Sequence, residues 1–205
     1  MPITVDPLGV HSNRYARCPF ELIYDIRIRS QRSKYPSLVI VDAQSVSNAD
    51  TARCKGYDAH KKISGIKRHV LVDTQGLPHI IHVTTAEVQD RQGALEMLAN
   101  EPATTLCGAK VMLVDGGYSG ISFASEIYAT YGAMVQVSKR VCQHGFSVIP
   151  KRWVVERSFA WLHKCRRLWK NCERVLNMSL HMTVLAFVAL LLRRLSPSKN
   201  ENERW

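Results

Sequence analysis

Two aspartates close apolar runs in this sequence, and a glutamate further along shares their chemistry. Asp42 follows Leu38-Val39-Ile40-Val41, and Asp115 follows Val111-Met112-Leu113-Val114. Open α/β sheets hold ligands in the crevice beyond the carboxyl ends of their strands, so paired strand-end aspartates point to a site. One such aspartate alone reads as a turn or cap residue. The third carboxylate, Glu156, lies in a stretch with helical spacing. At about 100° per residue it falls opposite the stripe of Val154, Val155, Ser158, Trp161, Leu162, Cys165, Leu168, Trp169 and Cys172, among Arg152, Ala160, His163, Arg167 and Arg174. Taken alone, Glu156 reads as a surface ion pair with Arg152 or Arg157. Together, three hard oxygen donors suit Mg²⁺ or Mn²⁺. They suit two ions roughly 3.5 to 4 Å apart, one activating an attacking water or 3′-hydroxyl and the other stabilising a leaving 3′-oxygen.

The charge supplies the substrate class. The 205 residues carry 28 Lys plus Arg against 17 Asp plus Glu, a formal net charge of +11, so a polyanion such as nucleic acid is the expected partner. Lys61, Lys62, Lys67 and Arg68 lie in or beside a polar, glycine-punctuated stretch from Asp50 to Lys67, read as a basic loop that neutralises phosphates. Arg152 and Arg157 are expected to steady the scissile or an adjacent phosphate, since guanidinium binds phosphate in a fork. Other chemistries are disfavoured. His60, His69, His79 and His82 show no HxH or HExxH spacing, and the six cysteines form no CxxC pair, so neither a zinc site nor a disulfide scaffold is indicated. The thiols are expected to be reduced, in a cytoplasmic protein. No signal peptide opens the chain. The longest apolar stretch, Leu180 to Leu192, falls short of a bilayer span and is expected to be a buried helix, with no membrane involved.

The elements follow from periodicity. Leu38 to Val41 reads as a strand buried on both faces, followed by a hairpin, His69 to Asp73 and Pro78 to Thr84, turning at Thr74-Gln75-Gly76. A helix is expected over Gln89 to Asn100, a strand over Val111 to Val114, a helix over Ser122 to Tyr131 and a short strand over Met134 to Val137. A single helix is expected over Pro150 to Arg174, with Cys165 and Cys172 as small core residues on its apolar side. Asp73 reads as a turn residue rather than a further ligand, Asp58 as a loop contact and Asp90 as a helix cap. A β-meander followed by alternating strands and helices gives an α/β sheet covered on its faces.

The blocks PSLVIVDAQSV at 36–46, KGYDAHKKISGIKRHVLVDTQGLP at 55–78, VQDRQGA at 88–94, VDGGYSG at 114–120 and RWVVERSFAWLHKCRRL at 152–168 resemble those of bacterial insertion-sequence transposases of the IS-five type. The resemblance implies an RNase H-like fold carrying a DDE triad of Asp42, Asp115 and Glu156, with the glutamate helix packed beside the sheet. It also implies transposon ends and target DNA as substrates. A neighbouring group has a Tyr-x2-Arg-x3-Glu-x6-Lys signature, which would place Tyr at 149 and Lys at 163. This chain has Ile149 and His163 and keeps Arg152, which favours the IS-five group. Relatives often carry Arg where this chain has Ile66.

The expected organisation is an N-terminal arm over 1–36, a catalytic domain over 37–195 with C-terminal helices, and a polar tail over 196–205. Full-length relatives carry a helical end-recognition region that 36 residues cannot hold. The arm therefore reads as a truncated or second-frame product, joined by a homo-oligomer partner or an upstream-frame domain. Two rivals stay open: a structure-selective nuclease on the same fold, and a non-catalytic DNA-binding remnant.

Overall fold

The run from Leu38 to Val41 is apolar at every position because both of its faces are covered. The computed structural model describes residues 15–17, 20–99, 106–138 and 152–196. Its elements are β1 (Tyr15–Arg17), α1 (Phe20–Arg29), β2 (Leu38–Ser47), β3 (Gly56–Asp58), β4 (Ile63–Asp73), β5 (Pro78–Thr85), α2 (Asp90–Ala99), β6 (Val111–Val114), α3 (Ile121–Tyr131), β7 (Met134–Val137), α4 (Trp153–His163) and α5 (Leu176–Leu195). One sheet runs β1-β5-β4-β2-β6-β7, with β3 beside β4. β4 runs antiparallel to both of its neighbours, β2 and β5, whereas β6 lies parallel to β2, and β7 to β6.

Side-chain alternation divides the core in two. Val39, Val41, Leu71, Met112 and Val114 pack on one face against Ala94, Met97 and Leu98 of α2 and Phe123 and Ile127 of α3. Ile40, Val46, Val70, Val72 and Leu113 pack on the other against α1, α4 and α5, through Ile23, Ile26, Val155, Phe159, Leu180 and Phe187. The segment read as an arm thus supplies Ile23 and Ile26 to the core and pairs β1 with β5.

Several boundaries differ from those expected. β2 continues through Asp42 to Ser47, so Asp42 is a mid-strand residue. β4 begins at Ile63, which turns the last part of the basic loop into buried strand. α4 ends at His163 instead of running to Arg174, and Pro150 lies outside the described residues. Beyond α4 the backbone donors go elsewhere: Cys165 N–H to the Leu162 carbonyl, Leu168 N–H to the Cys165 carbonyl, and Asn171 N–H to the Ser47 carbonyl of β2. Cys165 and Cys172 are half-buried and do not share a helix. α5 buries only Ser179, Leu180, Thr183, Phe187 and Leu191, and Met178, Leu185 and Leu192 are exposed. By length and composition this helix is apolar enough to cross a membrane, yet its buried face packs in the core.

The β4–β5 hairpin seats α4. Gly76 takes a positive φ of 76°, and a Cβ there would stand 3.0 Å from Ser158 Oγ of α4. Asp73, fully buried, accepts from the N–H groups of Gln75 and Leu77 and pairs with Arg27, the turn role expected of it. Ser158 Oγ donates to the Gly76 carbonyl at 3.2 Å, fixing the helix that carries Glu156 on the turn.

Candidate active site

Strand register alone brings Asp42 and Asp115 together. Ile40 pairs with Leu113 across the parallel β2–β6 ladder, and both point into the α4 side of the core. Two residues on along each chain stand Asp42 and Asp115, on the same face by the period of two. α4 covers that face through Val154, Val155, Phe159 and Leu162, and so delivers Arg152 and Glu156 from its first turn.

The three carboxylates meet at one guanidinium. Arg152 Nη2 lies 3.3 Å from Asp115 Oδ2 and 3.8 Å from Asp42 Oδ2, and Arg152 Nε lies 3.7 Å from Glu156 Oε1. Backbone N–H groups hold the remaining aspartate oxygens: Ala43 N donates to Asp42 Oδ1 at 2.8 Å, and Gly117 N to Asp115 Oδ1 at 2.9 Å. The Glu156 side chain is 61% exposed and Asp42 only 12%, so the acids differ sharply in environment. Burial pushes the Asp42 carboxyl up to about 6. Arg152, the Ala43 N–H and Lys61 oppose that rise, while Asp115 adds to it.

Among the described residues, no cluster of three His, Cys, Asp or Glu side chains stands close enough to hold a metal by itself. The donor chemistry nevertheless fits a hard divalent cation at Asp42 and Asp115. Their oxygens face one cationic group, and the buried Asp42 carboxylate is under-compensated by it. Glu156 touches the same group from the solvent side.

The expected phosphate contacts divide into two sets. Lys61 and Lys62 are exposed in the turn between β3 and β4, and Lys61 Nζ donates to the Ala43 carbonyl at 3.3 Å, next to Asp42. Lys67 and Arg68 are instead buried strand residues and offer DNA no surface. Lys67 faces α2, where its ammonium pairs with Asp90 at 2.8 Å and Asp58 at 3.5 Å and donates to the Val88 carbonyl. Arg68 faces the other way and donates to the Leu168 carbonyl at 2.9 Å. Arg157, also expected at a phosphate, is half-buried. Its guanidinium lies 4.5 Å from the Trp153 ring and 5.0 Å from the Trp161 ring, and donates to the Gln75 carbonyl. Ile66, a position where the resemblance leads to the expectation of Arg, is a core residue.

Asp58 governs the turn that presents the two exposed lysines. Its Oδ1 accepts from the N–H groups of His60 and Lys61, and its Oδ2 from Ser45 Oγ. Burial alone would raise this carboxyl. The Ser45 hydroxyl, the Lys61 N–H and the charges of Lys67 and Lys61 outweigh it and lower the pKa from 3.8 to about 2. Asp58 therefore stabilises the fold fully above about pH 4 and loses that contribution as pH falls towards 2. Asp58→Asn should cost about 2 kcal/mol at pH 7 and much less at pH 2, as read by urea unfolding at the two pH values. An equal cost at both would refute the ionic role.

One residue beside the site escaped sequence reasoning. Tyr118, in the 3-10 turn Gly116–Tyr118 after Asp115, is completely buried, and its hydroxyl has no hydrogen-bond partner among the described residues. Burial and the nearby carboxylates of Asp42, Asp90 and Asp115 hold the phenol well above its ordinary range, so it stays a neutral donor. The only sequence signal was its place in VDGGYSG.

A protein 34% identical over 116 residues, from Burkholderia cepacia, carries the description "Putative transposase for insertion sequence element IS402". The match covers 54% of each chain, so this chain aligns with about half the length of that relative. A family model described as the transposase DDE domain matches residues 34–192, which include β2, β6 and α4 with all three carboxylates. The chain belongs to the transposase DDE domain family.

Proposed function

We propose that this chain is the catalytic part of an insertion-sequence transposase of the IS-five type, acting on double-stranded DNA through Asp42, Asp115 and Glu156. The observation that carries the reading is the meeting of these carboxylates, from β2, β6 and α4, at Arg152. Family membership supports divalent-metal dependence and a DNA substrate. The sheet supports an RNase H-like fold: three antiparallel strands β5-β4-β2 are extended by two parallel ones, β6 and β7.

The reaction would proceed in two displacements at phosphorus. A water oxygen attacks the phosphodiester at the transposon end and the 3′-oxygen leaves as a hydroxyl. That hydroxyl then attacks a target phosphodiester, with a new 3′-oxygen leaving. Asp42 and Asp115 would hold Mg²⁺ or Mn²⁺, with Glu156 closing the site, and bound ions would supply charge stabilisation and nucleophile activation. Asp42 stays anionic at neutral pH because Arg152, the Ala43 N–H and Lys61 oppose its burial. Arg152 orients the carboxylates and offers its guanidinium to the phosphate once DNA arrives. Lys61 and Lys62 steady the backbone beside the cut.

The test is incubation of the chain with Mg²⁺ and a duplex carrying the ends of its own element joined to flanking DNA. A nick at the element boundary followed by joining to a second DNA is the expected result. Nicking without joining would favour a structure-selective nuclease, and binding without nicking a non-catalytic remnant. Changing Lys61 and Lys62 together to Ala should weaken binding alike on all sequences and reduce the salt slope by up to about 2. Titrations at several salt concentrations check this, and an unchanged slope would show the turn to be merely solvated.

A further inference from the structure

We propose that a second basic surface, built from the loop after β2 and the segment after α4, grips the DNA duplex beyond the bond that the carboxylates act on. The proposal rests on the transposase reading above. Its residues are Arg53 and Lys55 from the loop and Arg166, Lys170 and Arg174 from the segment, with the ring of Trp169 between them in sequence. All six are exposed, Trp169 to 64%. None of the five cations has an ion-pair partner among the described residues. The neighbouring Arg167 pairs with Glu173, and Asp50 is the loop's own carboxylate.

The two stretches are more than 100 residues apart in sequence, and a specific device joins them. Asn48 and Asn171 form a parallel bridge. Ala49 N–H donates to the Asn171 carbonyl at 2.8 Å, and Asn171 N–H to the Ser47 carbonyl at 2.9 Å. Asn171 Nδ2 donates to Asn48 Oδ1, its Oδ1 accepts from Ser179 Oγ of α5, and Thr51 Oγ1 donates to the Cys172 carbonyl. From beneath, the buried Arg68 guanidinium holds the Leu168 carbonyl. A charged, irregular segment pinned from two sides is positioned as a surface, which freely solvated lysines and arginines would not require.

The place of this surface identifies what it holds. α4 carries Glu156 in its first turn and ends at His163, about 10 Å further on at the helical rise, where the cationic segment begins. A duplex laid along α4 with its reacting phosphate at Asp42 and Asp115 would meet the segment roughly three base pairs away. Backbone phosphates are the chemistry that unpaired arginines and lysines recognise, and such contacts orient a duplex without reading its sequence.

Binding of the whole chain in EDTA separates this proposal from the catalytic reading. The probes are a duplex of about 30 base pairs, close to three turns, and one truncated about three base pairs beyond the reacting bond. The triple variant Arg166→Ala/Lys170→Ala/Arg174→Ala should bind the long duplex about 10- to 100-fold more weakly, with a salt slope smaller by roughly 2 to 3. It should match the wild type on the truncated duplex. Arg53→Ala/Lys55→Ala should act in the same sense, with a slope change of up to about 2. All five substitutions are at exposed positions, so thermal unfolding should be unchanged. Wild-type affinity on the long duplex for both variants would overturn the proposal while leaving the transposase reading intact. Tighter binding of the same surface to single strands, as stacking on Trp169 would give, would also overturn it. A wild-type chain that binds no duplex would instead refute the underlying reading.

Discussion

Asp115→Asn is expected to abolish magnesium-dependent cleavage while leaving DNA affinity in EDTA nearly unchanged. The substitution keeps the shape of the side chain and the oxygen that accepts from Gly117 N, and removes the charge facing Arg152. Removing a partner that merely supports a metal ligand typically costs 10- to 100-fold, so loss of a ligand charge should exceed about 100-fold in cleavage rate. No phosphate contact is deleted, so binding should persist. Single-turnover cleavage at saturating Mg²⁺ checks this, and a rate within tenfold of wild type would rule out the role. Asp42→Asn should do the same, with one difference. Asp42 is the more buried acid, pushed up to about 6 by that burial, so neutralising it should leave the metal-free fold as stable as before or more so.

Arg152→Gln should separate stability from catalysis. Arg152 is the cation that all three carboxylates share, so its loss leaves Asp42 and Asp115 facing one another without it. Without metal the variant should be less stable, by about 1 to 3 kcal/mol. Adding Mg²⁺ should then raise its melting temperature more than that of the wild type, because the carboxylates no longer share their charge with an internal cation. Cleavage should nonetheless fall at least about tenfold, since glutamine cannot fork to a phosphate. Melting curves with and without Mg²⁺, beside cleavage rates, read out both. A smaller metal-induced shift in the variant would show that Arg152 supports metal binding instead of standing against it.

The three carboxylates of the proposed site stood out in the sequence because their positions obey local rules. Apolar runs mark β2 and β6, and a period of two sets the face on which each aspartate emerges. Helical spacing put Glu156 on the polar face of α4. The register that seats Asp42 beside Asp115, Ile40 against Leu113, is a long-range fact that no local pattern contains. Asp42 looked like a strand terminus because a charge normally ends an apolar run. The strand continues because Arg152 and the Ala43 N–H accommodate the carboxylate on a sheet face that α4 only partly covers. Lys67 and Arg68 looked like loop cations for the same reason in reverse. Lys67 pairs with Asp58 and Asp90, 9 and 23 residues away, and Arg68 with the Leu168 carbonyl, 100 residues away, and no local periodicity links a cation to such partners. The spacing of Leu168 and Cys172 continued the helical stripe of α4, whereas in the structure Asn171 exchanges backbone hydrogen bonds with Ser47 and Ala49, a long-range pairing that no helical spacing contains.

Whether Asp42, Asp115 and Glu156 form a divalent-metal site for DNA cleavage can be read from anomalous diffraction by crystals of the chain grown with Mn²⁺ and a DNA duplex. The expected result is manganese bound by Asp42 and Asp115, with Glu156 turned towards it and Arg152 withdrawn to a phosphate. Manganese absent from those carboxylates at saturating concentration, with Arg152 still joining them, would contradict it.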